Sequence, residues 1–254
     1  MSTVYLVTGS NRGIGLGLVA HILEKHDDAF VYAGVRNPGQ ASDLRALQIR
    51  YSSRMAIVEC VSADVEGNAG LAGEIEKRHG RVDTVVANAA ICNSSDTVSE
   101  ISAADIEEHF HVNVTGTVVL FQAMYGLLRK SASPRFVPIS TSAACLDGNA
   151  IKFPTGSVAY GATKAALNWA TRKIHFENEW LVVFPLSPGP VDTDMRRTML
   201  ASVASGTSQK RRKATENPPT AEIVSVALVK LIDESTRDKD GGQFVHIDGT
   251  QLSW

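Results

Sequence analysis

Short runs that are apolar on both faces alternate with amphipathic stretches from one end of the chain to the other. The runs lie at Tyr5–Thr8, Phe30–Val35, Met55–Cys60, Val82–Ala87, Arg135–Ile139, Leu181–Leu186 and Gly242–Ile247. Most are rich in Val, Ile and Phe and show no polar face, as strands covered by helices on both sides must. Helical periodicity fills the intervals, at Leu16–Glu24, Gly67–His79, Ala103–Arg129, Tyr160–Glu177 and Ala221–Asp233 among others. Repeated strand–helix units predict an α/β fold: a doubly wound parallel sheet of about seven strands, helices on both faces, right-handed crossovers. No repeat or linker divides the chain, so residues 1–254 read as a single domain.

One stretch interrupts the alternation. Residues 196–219 pass through small and polar residues to the basic cluster Lys210-Arg211-Arg212-Lys213 and then to Asn217-Pro218-Pro219. An irregular stretch of this length inside one domain predicts a functional loop or a disordered one. The basic cluster reads as a solvated face of that loop. A net charge of −2 gives nucleic acid no electrostatic footprint, so no nucleic-acid partner is expected. No apolar run reaches the roughly 20 residues that span a bilayer, so no membrane partner is expected either. The chain passes from Met1-Ser2-Thr3 straight into a strand with no basic, apolar leader, which predicts a cytoplasmic location. Cys60, Cys92 and Cys145 match no metal-ligand or disulfide spacing; no metal is expected, and the thiols read as buried in a reducing compartment.

Chemistry first shows between the first strand and the first helix, at Thr8-Gly9-Ser10-Asn11-Arg12-Gly13-Ile14-Gly15. Gly9, Gly13 and Gly15 permit a tight turn and a close approach of backbone to a pyrophosphate; Asn11, Arg12 and Ile14 ride in the same turn. The helix that follows aims its free N–H groups and positive dipole end at the phosphates. The second strand ends in Gly34-Val35-Arg36-Asn37, with no acid. A site built for NAD usually carries a carboxylate there, which accepts from the ribose 2′-hydroxyl and repels a 2′-phosphate. Arg36, with Asn37 beside it, instead offers charge-assisted bonds to a 2′-phosphate, so the expected cofactor is NADP, as NADPH.

A second constellation lies in the later half. Tyr160 and Lys164 stand four residues apart on one helical stretch and share a face. A cation beside a tyrosine favours the phenolate and brings proton exchange toward neutral pH. Upstream, a strand ends in Ile139-Ser140-Thr141-Ser142.

The T-G-x-x-x-G-x-G spacing resembles the short-chain dehydrogenase/reductase family. The rest of the chain supports the likeness in order: Asp64-Val65, Asn88-Ala89-Ala90, Asn113, Tyr160-Gly161-Ala162-Thr163-Lys164, and Pro188-Gly189-Pro190-Val191-Asp192-Thr193. The resemblance implies a Rossmann-type fold and assigns roles. Tyr160 would protonate a carbonyl oxygen while hydride reaches its carbon. Lys164 would tune Tyr160 and bond the nicotinamide ribose, and Asn113 would join the proton relay. Thr141 or Ser142 would supply the substrate-binding hydroxyl. Arg12 would be the second cation on the 2′-phosphate. Asp64 and Val65 would meet the adenine, Asn88 and Ala89 its ribose side, and Val191 and Thr193 the carboxamide. Asn149–Ser157 looks like an insertion that walls the pocket. A substrate lid would span about residues 195–219, with Met195, Met199, Leu200 and Val203 at roughly helical spacing. The helix Tyr160–Glu177, with Ala165, Ala166, Leu167, Trp169 and Ala170, is of a kind that packs against a partner subunit in this family, which implies a homodimer or homotetramer.

Within the family, the chain is most similar to the sniffer-type branch and to the fungal norsolorinic acid ketoreductases. Thr3–Gly9, Val85–Ala90, His175–Leu181 and the ending Asp248–Trp254 carry that finer likeness. It implies NADPH-dependent reduction of an aromatic or polyketide-like ketone, with general carbonyl reduction equally open. A dinucleotide-binding regulator without catalysis is the competing class; it has no need of Tyr160 and Lys164. An extended-type epimerase would need a different glycine spacing and a larger substrate region.

Overall fold

Strand β1 (Thr3–Thr8) sits in the middle of the sheet, and its side chains divide between two cores. A computed structural model describes residues 2–148, 150–152, 157–202 and 217–254. Six parallel strands follow the order β3-β2-β1-β4-β5-β6, with β2 at Ala29–Val35, β3 at Met55–Glu59, β4 at Thr84–Ala87, β5 at Arg135–Pro138 and β6 at Val182–Val183. Alternate residues face opposite sides. Tyr5 and Val7 of β1 join Val31 and Ala33 of β2 against α1 (Gly13–Lys25) and a later helix at Ala221–Glu234. Val4 and Leu6 join Phe30 and Tyr32 against the helices at Val65–His79 and Gly116–Leu128. Double coverage explains why the strands read as continuous apolar runs.

In chain order the remaining helices are α2 (Ser42–Arg50), α3 (Val65–His79), α4 (Ala103–Phe110), α5 (Gly116–Leu128), α6 (Val158–Glu177), α7 (Asp194–Ser202), α8 (Ala221–Glu234) and α9 (Arg237–Asp240). Strand order reverses between β1 and β4, so the crevice at the carboxyl ends of the strands opens there.

Three expectations need adjustment. The run Leu181–Leu186 forms two segments, β6 and then β7 (Leu186–Ser187), which pairs in parallel with β8 (Val245–His246). Pro185 has no N–H to give a ladder and sits at the break; a bridge from Ile139 to Leu186 carries the sheet onward. The helix expected over Ala103–Arg129 is interrupted by a π turn at His111–Thr115, around the side chain of Asn113. The stretch 196–219 is not irregular from its start, because α7 runs to Ser202, with Thr193 Oγ1 accepting from Arg196 N at 3.3 Å. The basic cluster Lys210–Lys213, Val203 and most of the expected lid, and Asn149 and residues 153–156 of the expected insertion, lie outside the described residues. Among the described residues no helix is long and apolar enough to cross a membrane.

Candidate active site

The glycine turn is built as a cradle. Gly9 and Gly13 hold φ of +65° and +55°, a region costly for other residues. A Cβ at Gly15 would lie 2.3 Å from Gly9 O and 2.7 Å from Asn88 Nδ2, so only glycine lets helix and turn approach this closely. Asn88 staples the turn from below: its Nδ2 donates to Thr8 O at 2.9 Å and Gly9 O at 3.2 Å. Thr8 Oγ1 accepts from the N–H groups of Asn88 and Ala89 at 3.0 and 3.1 Å. Ser10 N–H donates to Gly34 O at 3.1 Å, which ties the turn to the end of β2.

Helix α1 begins in this turn without a cap. Arg12 occupies the N-cap position with no side-chain hydrogen bond, and the first turn holds no acid. By contrast, Asp64, Ser102 and Thr220 each accept a backbone N–H at the starts of α3, α4 and α8. The uncapped N–H groups and positive helix end suit an anion, and together with the glycine cradle they fit a pyrophosphate. Asn11 and Arg12 are exposed and Ile14 is partly buried in the core beneath.

Arg36 is exposed at the end of β2, and Asn37 Oδ1 accepts from Gly39 N at 3.0 Å. Arg12 lies 3.6 Å from Asp194 at the start of α7, an exposed ion pair. Asp64 accepts from Gly67 N at 2.9 Å, and Val65 beside it is 64% exposed. Val191 is buried, and Thr193 approaches the glycine turn: its Cγ2 is 3.4 Å from where a Cβ of Gly13 would stand. The two loops therefore meet across one crevice.

The catalytic candidates gather around the end of β5. Lys164 is buried and donates from Nζ to Ile139 O at 2.7 Å. Its Nζ lies 5.8 Å from the centroid of the Tyr160 ring. Burial pushes the Lys164 ammonium down to about 8, with nearby Cys92 acting against the shift. Burial, with Cys92 adding to it, pushes the Tyr160 hydroxyl well above its ordinary value. The Lys164 ammonium is directed at a carbonyl, and desolvation dominates the phenol.

Thr141 is half-buried in extended conformation, and its Oγ1 accepts from Ala143 N at 3.2 Å. Ser142 is exposed and opens the short turn Ser142–Ala144. That turn packs on α6, where a Cβ at Gly161 would stand 3.2 Å from Ala143 O. Asn113 is fully buried and takes up both main-chain groups of Ile91: Ile91 N donates to Oδ1 at 2.8 Å and Nδ2 donates to Ile91 O at 3.0 Å. Nδ2 also donates to Thr163 Oγ1 at 3.1 Å, so the π turn, the loop after β4 and α6 are fastened at one side chain.

One pair escaped sequence reasoning. Ser140 Oγ donates to Asn168 Oδ1 at 2.6 Å, both groups being 2% exposed. Tyr160, Lys164 and Asn168 follow an i, i+4, i+8 spacing, which could have marked Asn168 as part of the same face. The bond commits the Ser140 proton to Asn168; Thr141 and Ser142 stay the candidates for the substrate hydroxyl.

Against this geometry, the sequence model described as short chain dehydrogenase matches residues 3–203. The chain belongs to the short chain dehydrogenase family. Its similarity to individual members runs the full length. It is 37% identical to a norsolorinic acid ketoreductase of Dothistroma septosporum, over 99% of this chain and 92% of the relative. It is 38% identical to the norsolorinic acid ketoreductase of Aspergillus parasiticus, over 99% and 91%. The fold is that of the carbonyl reductase Sniffer of D. melanogaster, with a TM-score of 0.85 over all of both chains at 24% identity. An NADPH-bound carbonyl reductase from chicken fatty liver superposes equally well, with a TM-score of 0.85 over all of both chains at 24% identity.

Proposed function

We propose that this short chain dehydrogenase is an NADPH-dependent ketoreductase that converts an aromatic or polyketide-like ketone to a secondary alcohol, with Tyr160 as proton donor. The observation that carries the reading is the placement of Tyr160. It stands four residues before buried Lys164 on α6, with Lys164 Nζ 5.8 Å from its ring, and beside the turn that starts at Thr141. A tyrosine hydroxyl carries its proton at neutral pH and can give it to the alkoxide that forms as hydride arrives. The bound nicotinamide cofactor supplies the hydride.

The chain's own residues do the rest. Gly9, Gly13 and Gly15, with the uncapped start of α1, hold the pyrophosphate. Arg36 and Arg12, with Asn37 alongside, favour the 2′-phosphate, and no acid opposes them at the end of β2. Asp64 and exposed Val65 face the adenine, Asn88 and Ala89 shape the ribose side, and Val191 and Thr193 hold the carboxamide. Lys164 serves the nicotinamide ribose, and Thr141 or Ser142 orients the carbonyl oxygen. Asn113 acts by holding Ile91 and Thr163. The norsolorinic acid ketoreductases, alike over their full length, support an aromatic or polyketide-like substrate. Turnover of a ketone panel with NADPH and NADH tests the reading. It predicts reduction of polycyclic aromatic ketones with NADPH, and failure to reduce any ketone would reject it.

Assembly follows the same helix. Trp169 and Phe176 of α6 are 70% and 65% exposed, which supports a homodimer or homotetramer formed through that face. A monomer mass in light scattering contradicts this.

A further inference from the structure

The segment Asp248–Trp254 belongs neither to the glycine turn nor to the Tyr160 face, yet it is braced between the sheet and the chain that leaves Thr141. After β8 the chain makes a hairpin in which Gly249, at φ +83°, donates from its N–H to His246 O at 2.8 Å. His246 N donates to Thr250 O, also at 2.8 Å. Asp248 Oδ1 accepts from Thr250 N at 2.9 Å and Thr250 Oγ1 at 2.6 Å, and lies 3.1 Å from His246 Nδ1, so the turn is fastened from within. The chain then returns antiparallel, with Gln251 opposite Val245 and Leu252 N donating to Phe244 O at 2.7 Å. This delivers Trp254 onto the buried ring of Phe244, with centroids 5.7 Å apart and planes 26° from parallel. Arg172 of α6 covers the indole at 4.9 Å.

From that position the segment grips the other side of the site. Leu146 N donates to the main-chain oxygen of Trp254 at 3.2 Å, and Ser253 Oγ donates to Asp147 Oδ1 at 2.9 Å. Leu146 and Asp147 follow, after Cys145, on the Ser142–Ala144 turn that packs against Gly161, next to Tyr160. Leu146 holds its apolar side chain 71% exposed. A short loop with a single turn of regular structure has few bonds of its own to fix it. Here two of its bonds come from a segment anchored in the sheet.

We propose that the Asp248–Trp254 hairpin is a specificity-determining strut. By holding Leu146 and Asp147 it fixes the wall beside Tyr160 and so governs how a bulky aromatic ketone is seated. Trp254 is a positioning residue: it acts through Leu146. The inference rests on the ketoreductase reading. The test compares KM and kcat for a tricyclic aromatic ketone and for cyclohexanone, with NADPH Kd measured by fluorescence. Trp254→Ala should raise KM for the tricyclic ketone about tenfold, since small misplacements of a substrate wall have large kinetic effects. KM for cyclohexanone and NADPH Kd should stay within about twofold, and Trp254→Phe, which keeps a stacked ring, should restore the selectivity. A variant carrying Asp147→Ala and Ser253→Ala leaves the Phe244 stack intact and should shift the tricyclic KM in the same direction, about threefold. It decides the matter if Trp254→Ala does not fold. Equal shifts for both ketones, a shift in NADPH Kd, or no shift in the double variant overturns the strut. If the unmodified protein reduces no ketone, the ketoreductase reading falls and the strut with it; turnover with unaltered selectivity in the variants rejects the strut alone.

Discussion

Replacing Asn113 by alanine separates fastening from proton relay. The side chain is fully buried and makes three hydrogen bonds, to Ile91 N, Ile91 O and Thr163 Oγ1. Thr163 keeps a partner, because its Oγ1 also donates to Tyr160 O at 2.9 Å. Ile91 does not: both of its main-chain groups lose the partner that the side chain supplied. An orphaned buried polar group costs about 1–3 kcal/mol, and Ile91 is only partly buried, so each group falls toward the lower end. Alanine recovers roughly 0.5 kcal/mol of helix propensity. The net loss is about 1.5–3.5 kcal/mol, or a fall in Tm of about 3–14 °C for a domain of this size. The loop after β4 carries Asn88 and Ala89 under the glycine turn, so NADPH Kd should rise as the loop loosens. Asn113→Asp keeps the acceptor for Ile91 N but sets a carboxylate against Ile91 O; its stability should recover at acidic pH, where a protonated carboxyl can donate. Thermal denaturation and fluorescence titration of NADPH are the assays. A Tm for Asn113→Ala within about 2 °C of the unmodified protein would refute the fastening argument.

Arg36→Asp removes an exposed cation and adds a repelling carboxylate at the end of β2; kcat/KM with NADPH should fall at least about tenfold, one charge-assisted contact being worth about 1.5–3 kcal/mol, while kcat/KM with NADH holds or rises. Equal kcat/KM with the two cofactors in the unmodified protein contradicts the assignment. Lys164 is pushed down to about 8 by burial, so kcat/KM for NADPH should bend downward above that pH as the ammonium loses its charge, and a flat profile through pH 9 counts against it. His175 is buried against Arg237, whose guanidinium can only donate to Nδ1, at 3.1 Å. Burial first, then Arg237 and Arg172, hold its folded pKa below the ordinary value of about 6.5. Its contribution to stability is therefore complete above that value and is lost as pH falls through the folded pKa, because the unfolded chain binds the proton more readily. Tm should decline from pH 7 to pH 5, and less steeply for His175→Gln; parallel curves dismiss the role.

The parts legible in the sequence are those whose chemistry is local. The glycine turn, the acid-free end of β2 and the Tyr160–Lys164 spacing each lie within a few residues, and the two-faced apolar runs announce a covered parallel sheet. The parts that were not legible depend on distant partners. Helix α2 buries only Leu44 and so leaves no apolar stripe to read. The π turn at His111–Thr115 arises because Asn113 reaches Ile91 and Thr163, 22 and 50 residues away. Ser140 and Asn168 pair across 28 residues, and Ser253 and Asp147 across 106, with no sequence pattern connecting either pair. Pro185 is the exception: a missing N–H inside a predicted strand foretells a break.

Tyr160→Phe tests the central claim most directly, since it removes one hydroxyl and leaves the ring. The measurement is kcat for reduction of an aromatic ketone with NADPH, alongside NADPH Kd by fluorescence. If Tyr160 is the proton donor, kcat should fall by about 10²–10⁴ while Kd changes little, because Lys164 and the glycine turn remain in place. A Tyr160→Phe enzyme that keeps more than about a tenth of its activity would contradict the account.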